Sequence, residues 1–125
     1  MIADSSAYSI LIVEPNLDLK KPYDFLERKK WQIIRVQDVI TATQKLQEQA
    51  FDLVFLSCSF TNKKMLNFLE SLKQASHTKI IPLILVVDFH QPYSIVPGLV
   101  WAERLALLSS QSSQQELSIQ LHRLL

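Results

Sequence analysis

The chain contains a single glycine, Gly98, among its 125 residues, whereas average usage would give roughly nine. Phosphate-cradling loops of the P-loop and dinucleotide-binding types need several glycines at fixed spacing, because the backbone must approach the phosphates closely. Nucleotide sites of these two types are therefore excluded.

Cysteine is as scarce as glycine, since Cys58 is the only one. One cysteine cannot form an internal disulfide or a thiolate metal site. A redox role for Cys58 is one interpretation, but no histidine or basic residue adjoins it in sequence, which favours a small buried apolar side chain. The three histidines, His77, His90 and His122, do not have the spacing of a zinc site.

The chain also has no excess of one charge and no long apolar run. Lys and Arg number 13 against 12 for Asp and Glu, so no basic face for nucleic acid is expected. The one basic run, Arg28-Lys29-Lys30, is interpreted as the complement of a helix dipole. The start of the chain lacks the basic head and apolar run of a signal peptide, and no segment approaches the ~20 apolar residues of a membrane span. We expect a cytoplasmic protein that binds neither nucleic acid nor membrane.

The length of the chain and its 48% hydrophobic content predict one globular domain, residues 1–125. The chain ends inside a predicted helix, at Leu124-Leu125, so we expect either a minimal stand-alone domain or a part of a larger protein.

Apolar runs alternate along the chain with segments of helical periodicity. Buried strands are predicted over Ser9–Val13, Trp31–Val36, Leu53–Leu56, Ile80–Val87 and Leu105–Leu108. Helices are predicted over Leu19–Lys30, Asp38–Gln49, Lys64–Gln74 and from the capping-box sequence Ser113-Gln-Gln-Glu116 onward. The mixed composition of the second strand places it at the sheet edge. This order predicts an α/β fold, with a parallel sheet covered by helices on both faces. Between Asp88 and Trp101, however, Pro92, Pro97 and Gly98 predict an irregular or shortened fourth helix.

Two segments resemble a known family. Tyr8-Ser-Ile-Leu-Ile-Val-Glu14 and Phe51-Asp-Leu-Val-Phe-Leu-Ser57 are similar to the first and third strands of response-regulator receiver domains, the CheY-like family. The resemblance implies a flavodoxin-like, doubly wound (βα)5 fold with a five-stranded parallel sheet. In that family the third strand ends in an aspartate that accepts a phosphoryl group from a histidine kinase. Here that position is Ser57, whose hydroxyl is expected to have no neighbouring base to activate it.

The other functional positions of the family are also altered. Glu14 keeps the first acid of the magnesium-binding pair, but Pro15 takes the second place. Val87 stands where the fourth strand should end in Thr or Ser, and Ser109 stands in place of the lysine of the last strand. Mg²⁺ needs hard oxygen ligands in near-octahedral geometry, so Glu14 alone makes a poor metal site. We therefore predict a degenerate phosphoacceptor site with no catalytic residue, no metal and no cofactor, and the protein is not expected to be an enzyme.

Other acidic residues and a nucleophilic triad are further candidates for a functional site. Asp88 follows the fourth strand and is either a displaced ligand paired with Glu14 or a plain loop acid or helix cap, and the second interpretation is favoured. Asp52 lies at the amino end of its strand, the wrong end for the site. A Ser/His/Asp triad has no support, because Ser57 lacks the glycine-flanked nucleophile elbow.

The segment after the fourth strand carries three aromatic residues, Phe89, Tyr93 and Trp101. In the resembled family this region belongs to the face used for dimerisation and output, and aromatics on stiffened loops are common interface anchors. They are interpreted either as an interaction face, formed together with the last helix, or as a cover for the sheet where a full helix is missing.

These features predict a pseudo-receiver in two-component or phosphorelay signal transduction, acting by phosphorylation-independent protein–protein interaction. Its partner would be a sensor kinase or an output protein, and a homodimer is a further candidate assembly. A second hypothesis is a small-ligand sensor using the vacated pocket near Glu14, Ser57, Val87 and Ser109. A third is an atypical receiver with residual phosphoryl binding through Asp88 or Glu14.

Overall fold

A computed structural model of the chain describes residues 8–16, 23–27, 29–57, 60, 62–75, 81–87, 105–109 and 112–125. The strands are β1 (Ser9–Val13), β2 (Gln32–Val36), β3 (Leu53–Ser57), β4 (Leu83–Val87) and β5 (Leu105–Ser109). The helices within the described residues are α1 (Asp24–Glu27), α2 (Val39–Glu48), α3 (Asn62–Ala75) and α4 (Gln114–Leu124).

The five strands form one parallel sheet in the order β2-β1-β3-β4-β5. The chain winds outward in opposite directions from β1 and from β3, so the switch point of this doubly wound sheet lies between these two strands. The predicted flavodoxin-like α/β fold is confirmed, and β2 lies at a sheet edge as its mixed composition indicated. The predicted irregular fourth helix, together with Asp88, Phe89, Tyr93 and Trp101, lies outside the described residues.

Both faces of the central strands are buried, because β1, β3 and β4 consist almost entirely of apolar residues. On one face α2 and α3 pack against β1, β3 and β4 through Leu11, Val54, Leu83, Phe68 and Leu72. On the other face α1 and α4 cover Ile10, Ile12 and Phe55. Successive strand residues thus alternate between two separate cores, which fixes the register of each strand.

Two hydrogen bonds between Ser9 and Asp52 join the amino ends of β1 and β3. The Asp52 carboxylate accepts from the Ser9 backbone N–H at 2.8 Å, and the Asp52 backbone N–H donates to the Ser9 carbonyl at 2.8 Å. Asp52 therefore holds the two central strands in register. This position agrees with its predicted exclusion from the site.

Serine and aspartate caps start two of the helices. Asp38 accepts from the Thr41 backbone N–H at 2.7 Å at the start of α2. At the start of α4 the Ser113 hydroxyl accepts from the Glu116 N–H at 3.2 Å, and it lies 3.4 Å from the Glu116 carboxylate. Ser113 is therefore the N-cap of α4, at the position that the capping-box spacing predicted.

The end of the first helix differs from its prediction. Within the described residues α1 ends at Glu27 with no basic residue in its last turn, and Lys29 and Lys30 lie in the bend before β2. The Lys29 N–H donates to the Leu26 carbonyl at 3.0 Å, and its ammonium lies 5.9 Å from the centre of the Trp31 ring. The prediction that the helix extends to Lys30 is therefore wrong, because Lys29 and Lys30 lie in the bend. The dipole interpretation of the basic run stays a prediction, since Arg28 lies outside the described residues.

Strand β4 begins later than predicted, at Leu83 rather than Ile80. Pro82 has no N–H to give to the ladder, but its carbonyl still accepts from the Val54 N–H at 3.1 Å. Among the described residues no helix is long and apolar enough to cross a membrane.

Candidate functional site

The carboxyl ends of β1 and β3 bring Glu14 and Ser57 together. These strands are neighbours in register, with Ile12 opposite Phe55, and each site residue lies two positions further along the same face. Both side chains are buried, with 2% of Glu14 and 3% of Ser57 exposed to solvent. Of the residues predicted from the sequence, these two meet directly.

The Glu14 carboxylate receives hydrogen bonds from three sides. The Asn16 backbone N–H donates to Oε2 at 3.1 Å, and the Tyr23 hydroxyl donates to Oε1 at 3.3 Å. The Ser57 hydroxyl is also hydrogen-bonded to this carboxylate. The Glu14 N–H donates to the Val36 carbonyl at 3.0 Å, which keeps the end of β1 joined to β2. Each carboxylate oxygen therefore has a protein donor.

Burial raises the pKa of the Glu14 carboxyl above its usual value, because the charged form loses its hydration. Four effects oppose this shift: the hydrogen bonds from Asn16, Tyr23 and Ser57, and the positive charge of Arg35. Loss of solvent remains the dominant cause. The site thus holds a carboxyl whose ionisation depends on its protein neighbours.

Arg35 and Tyr23 belong to this cluster, although the sequence patterns did not assign them to it. The Arg35 guanidinium carbon lies 5.4 Å from the centre of the Tyr23 ring. The ring also packs edge-on against Phe55, with centroids 5.6 Å apart and an interplanar angle of 84°. One signal could have pointed to Arg35, since it is the only charged residue within the five strands. Tyr23 gave no such signal, because its spacing matched an ordinary apolar helix face.

The remaining predicted site residues have different positions. Pro15 is exposed in the bend after β1, and it offers no side-chain ligand. Val87 and Ser109 are the last residues of β4 and β5, with paired Cα positions. Their backbones therefore lie at the same edge of the sheet as Ser57, whose own Cα partner on β4 is Val86.

Three solved structures of response-regulator or receiver proteins are similar to this chain over most of its length. A receiver domain of a sensor histidine kinase from Pseudomonas aeruginosa, solved with magnesium coordinated in its active-site cleft, is 17% identical and superposes with a TM-score of 0.70 over 95% of this chain and 98% of its own. Chemotaxis protein CheY4 of Vibrio cholerae is 15% identical, with a TM-score of 0.75 over 96% of this chain and 100% of its own. The N-terminal domain of a response regulator/sensory box/GGDEF protein from Carboxydothermus hydrogenoformans is 16% identical, with a TM-score of 0.73 over 92% and 91%.

This chain has the CheY-like receiver fold. The similarity lies in the fold, because sequence identities to these neighbours are 15–17%. No protein-family model matches the sequence, and no curated protein matches it.

The receiver fold raises the question of magnesium, and the described residues do not fit that ion. Mg²⁺ takes six oxygen ligands and is usually held by one or two carboxylates with several waters. Here Glu14 is the one carboxylate of the described cluster, and hydrogen-bond donors already engage both of its oxygens. Ser57 supplies a neutral hydroxyl, and the charge of Arg35 would repel a cation. Among the described residues no group of three or more His, Cys, Asp or Glu side chains could hold a metal ion.

A groove is present elsewhere on the surface, between α2 and α3. Its volume is about 490 Å³, and it is lined by Asp38, Val39, Ile40, Thr43, Gln44, Gln47, Lys64, Asn67 and Ser71. None of these residues belongs to the Glu14 cluster, so this groove is not the vacated pocket that the sequence suggested as a ligand site.

Proposed function

We infer that the protein is a degenerate receiver that acts in two-component signal transduction by binding a protein partner, independently of phosphorylation. The observation that carries this inference is the internal pairing of the Glu14 carboxylate. Its hydrogen bonds to Asn16, Tyr23 and Ser57 leave the acid directed into the protein rather than toward an incoming ion.

Phosphoryl transfer requires compensation of the charge on the transferring group, usually by a metal ion and basic residues. An acceptor must also be a competent nucleophile, and an unactivated hydroxyl is a weak one. Contrary to the expectation from the sequence, the Ser57 hydroxyl has a neighbouring carboxylate, that of Glu14, to which it is hydrogen-bonded. The Ser57 side chain is only 3% exposed, which restricts access by a phosphodonor. These features support a scaffold that has kept the receiver fold and lost the phosphorylation chemistry.

The function that remains is recognition. The partner would be a sensor kinase or an output protein in the cytoplasm, contacted through Phe89, Tyr93 and Trp101, and a homodimer through the same face is the alternative assembly. Aromatic side chains are frequent anchors at such interfaces. No membrane surface or nucleic acid is part of this proposal, because Lys and Arg exceed Asp and Glu by only one residue.

The chemical half of the proposal is tested by incubating the protein with acetyl phosphate and Mg²⁺ and measuring its intact mass. The expected result is no phosphoryl adduct, while an active receiver treated in parallel gains one. A stoichiometric adduct on this chain would contradict the proposal.

The binding half is tested by biolayer interferometry against candidate sensor kinases and output proteins. We expect an affinity that is unchanged by acetyl phosphate or by Ser57→Ala, and that Trp101→Ala weakens. The exposed Ile40 on α2, 74% exposed, offers a control through Ile40→Ala, because α2 and the last helix pack on opposite faces of the sheet. Sedimentation of the protein alone separates a homodimer from a monomer awaiting a partner. Binding that appears only with the phosphodonor would refute this half.

A further inference from the structure

Arg35 occupies an unusual position for a charged residue. It lies within β2, where its Cα is paired with that of Ile12 on β1. Because side chains alternate along a strand, Arg35 shares a face with Ile12, Glu14 and Ser57 rather than with the α2–α3 side. Its side chain is only half-buried, as expected for the edge strand of the sheet.

Tyr23 connects Arg35 to Glu14. The guanidinium lies over the face of the Tyr23 ring at 5.4 Å, within the range of a cation–π contact. The hydroxyl of the same ring donates to Glu14 Oε1 at 3.3 Å. Tyr23 is itself 1% exposed and is fixed against Phe55, so the ring has little freedom to change these contacts.

The charges of this cluster balance within the protein. Glu14 carries one negative charge when ionised, Arg35 carries one positive charge, and Tyr23 and Ser57 are neutral hydrogen-bond donors. A buried carboxylate is costly unless it is both paired and hydrogen-bonded. Arg35 is suited to this task, because guanidinium stays charged at all ordinary pH values and stacks well on aromatic rings.

We propose that Arg35 is the resident cation of this site, a charge-balancing residue that stabilises the Glu14 carboxylate through Tyr23 and opposes the binding of a divalent metal. This inference rests on the proposed function, because it explains how the fold tolerates its remaining acid without an ion. Arg35 is a positioning residue in this account and touches no substrate.

A structural role alone is the competing explanation. The aliphatic stem of an arginine can pack against apolar surface regardless of its charge, and charged residues on edge strands also discourage aggregation. Arg35→Met retains most of the stem and removes the charge, whereas Arg35→Lys retains the charge. A packing role would therefore depend on stem length, and an electrostatic role on charge.

The first test measures coupling between Arg35 and Glu14 by urea unfolding at neutral pH. Four proteins are compared: the unaltered chain, Arg35→Met, Glu14→Gln and the double variant. We expect Arg35→Met to lower the equilibrium constant for folding about fivefold more in the presence of Glu14 than in the Glu14→Gln background. Arg35→Lys should recover most of that loss. Equal effects in both backgrounds would overturn the proposal.

The second test asks whether Arg35 opposes metal binding once a second acid is supplied. Mg²⁺ affinity is measured by NMR titration of Ser57→Asp alone and combined with Arg35→Met or Arg35→Lys. We expect Ser57→Asp with Arg35→Met to bind at least about tenfold more tightly than the other two proteins, since one repelling charge is removed near the ion. The same affinity in all three, including none, would contradict the metal-opposing part.

The experiments distinguish a failure of the Arg35 proposal from a failure of the proposed function. Saturable Mg²⁺ binding or phosphorylation of the unaltered chain would remove the proposed function itself. Absence of both, combined with additive effects of Arg35→Met and Glu14→Gln, would remove only the role of Arg35.

Discussion

At the scale of single residues, the site is defined by one carboxylate and by the side chains that stabilise it. The resemblance of two strand segments to receiver domains, together with the common edge at which parallel strands end, was sufficient to predict that Glu14 and Ser57 lie together. It was not sufficient for Tyr23 and Arg35. Their roles depend on which face of β2 and which side of α1 meet the end of β1, and these relations arise from packing over long sequence separations.

Because the pKa of Glu14 is raised in the fold, the sign of its effect on the pH dependence of the free energy of unfolding can be predicted. In the unfolded chain this carboxyl titrates near its ordinary value of 4.5, and in the fold it retains its proton to higher pH. Its contribution to stability is therefore fully present below pH 4.5 and is lost as the pH rises through the raised pKa.

We expect Glu14→Gln to remove this slope, so that its free energy of unfolding relative to the unaltered chain increases with pH. Urea denaturation at a series of pH values measures the effect. The exposed Glu70 on α3 supplies a control, since Glu70→Gln should leave the slope in place. A relative stability of Glu14→Gln that falls with pH would contradict the assignment.

At the scale of helices and strands, local sequence predicted the positions of the elements better than it predicted the residues of the site. The apolar runs predicted all five strands, and the predicted helices α2, α3 and α4 have bounds within two residues of those observed, because their apolar spacing and their caps agree. The end of α1 was wrongly placed, since the residues Lys29 and Lys30 suit a helix but the chain bends there to enter β2. The helix propensity of these two lysines was therefore outweighed by the need for the chain to bend and enter β2.

The last helix, α4, should be anchored by one face only. Leu121 is 1% exposed and Ile119 is 59% exposed, although the two residues are separated by less than one turn. We expect Leu121→Ala to cost about 2–5 kcal/mol because it opens a cavity, while Ile119→Ala changes stability by less than about 0.5 kcal/mol. Chemical denaturation measures both, and equal effects would show that α4 is not packed as described.

The N-cap of α2 gives a second test at this scale. Hydrogen bonds from Thr41 lower the pKa of Asp38 below its usual value, so this contribution to stability is present above pH 3.8 and is lost as the pH falls through the lowered pKa. Asp38→Ala should cost about 1 kcal/mol at pH 7. Asp38→Asn should keep the cap but lose its acid sensitivity, and an equal loss of stability in both variants at pH 7 would exclude the cap as the cause.

At the scale of the whole molecule, the chain has the receiver fold, and we propose that the phosphorylation chemistry at the edge of its sheet is lost. The fold superposes on structures that are only 15–17% identical in sequence, with TM-scores of 0.70–0.75, because many apolar sequences satisfy the same layered packing. The phosphorylation site depends instead on a few polar groups. A fold can therefore be conserved without its chemistry, and a sequence that predicts the receiver fold need not contain a working phosphorylation site.

The response of the unaltered protein to Mg²⁺ and beryllofluoride, a mimic of the phosphoryl group, tests the central claim most directly. Amide NMR spectra would be recorded with neither reagent, with Mg²⁺ alone and with both. We expect the amides of Glu14, Asn16 and Ser57 to keep their positions, because the carboxylate is already engaged by protein donors and Arg35 supplies the positive charge. Saturable shifts at these amides with stoichiometric beryllofluoride would show that the site still accepts a phosphoryl group, and would contradict the account.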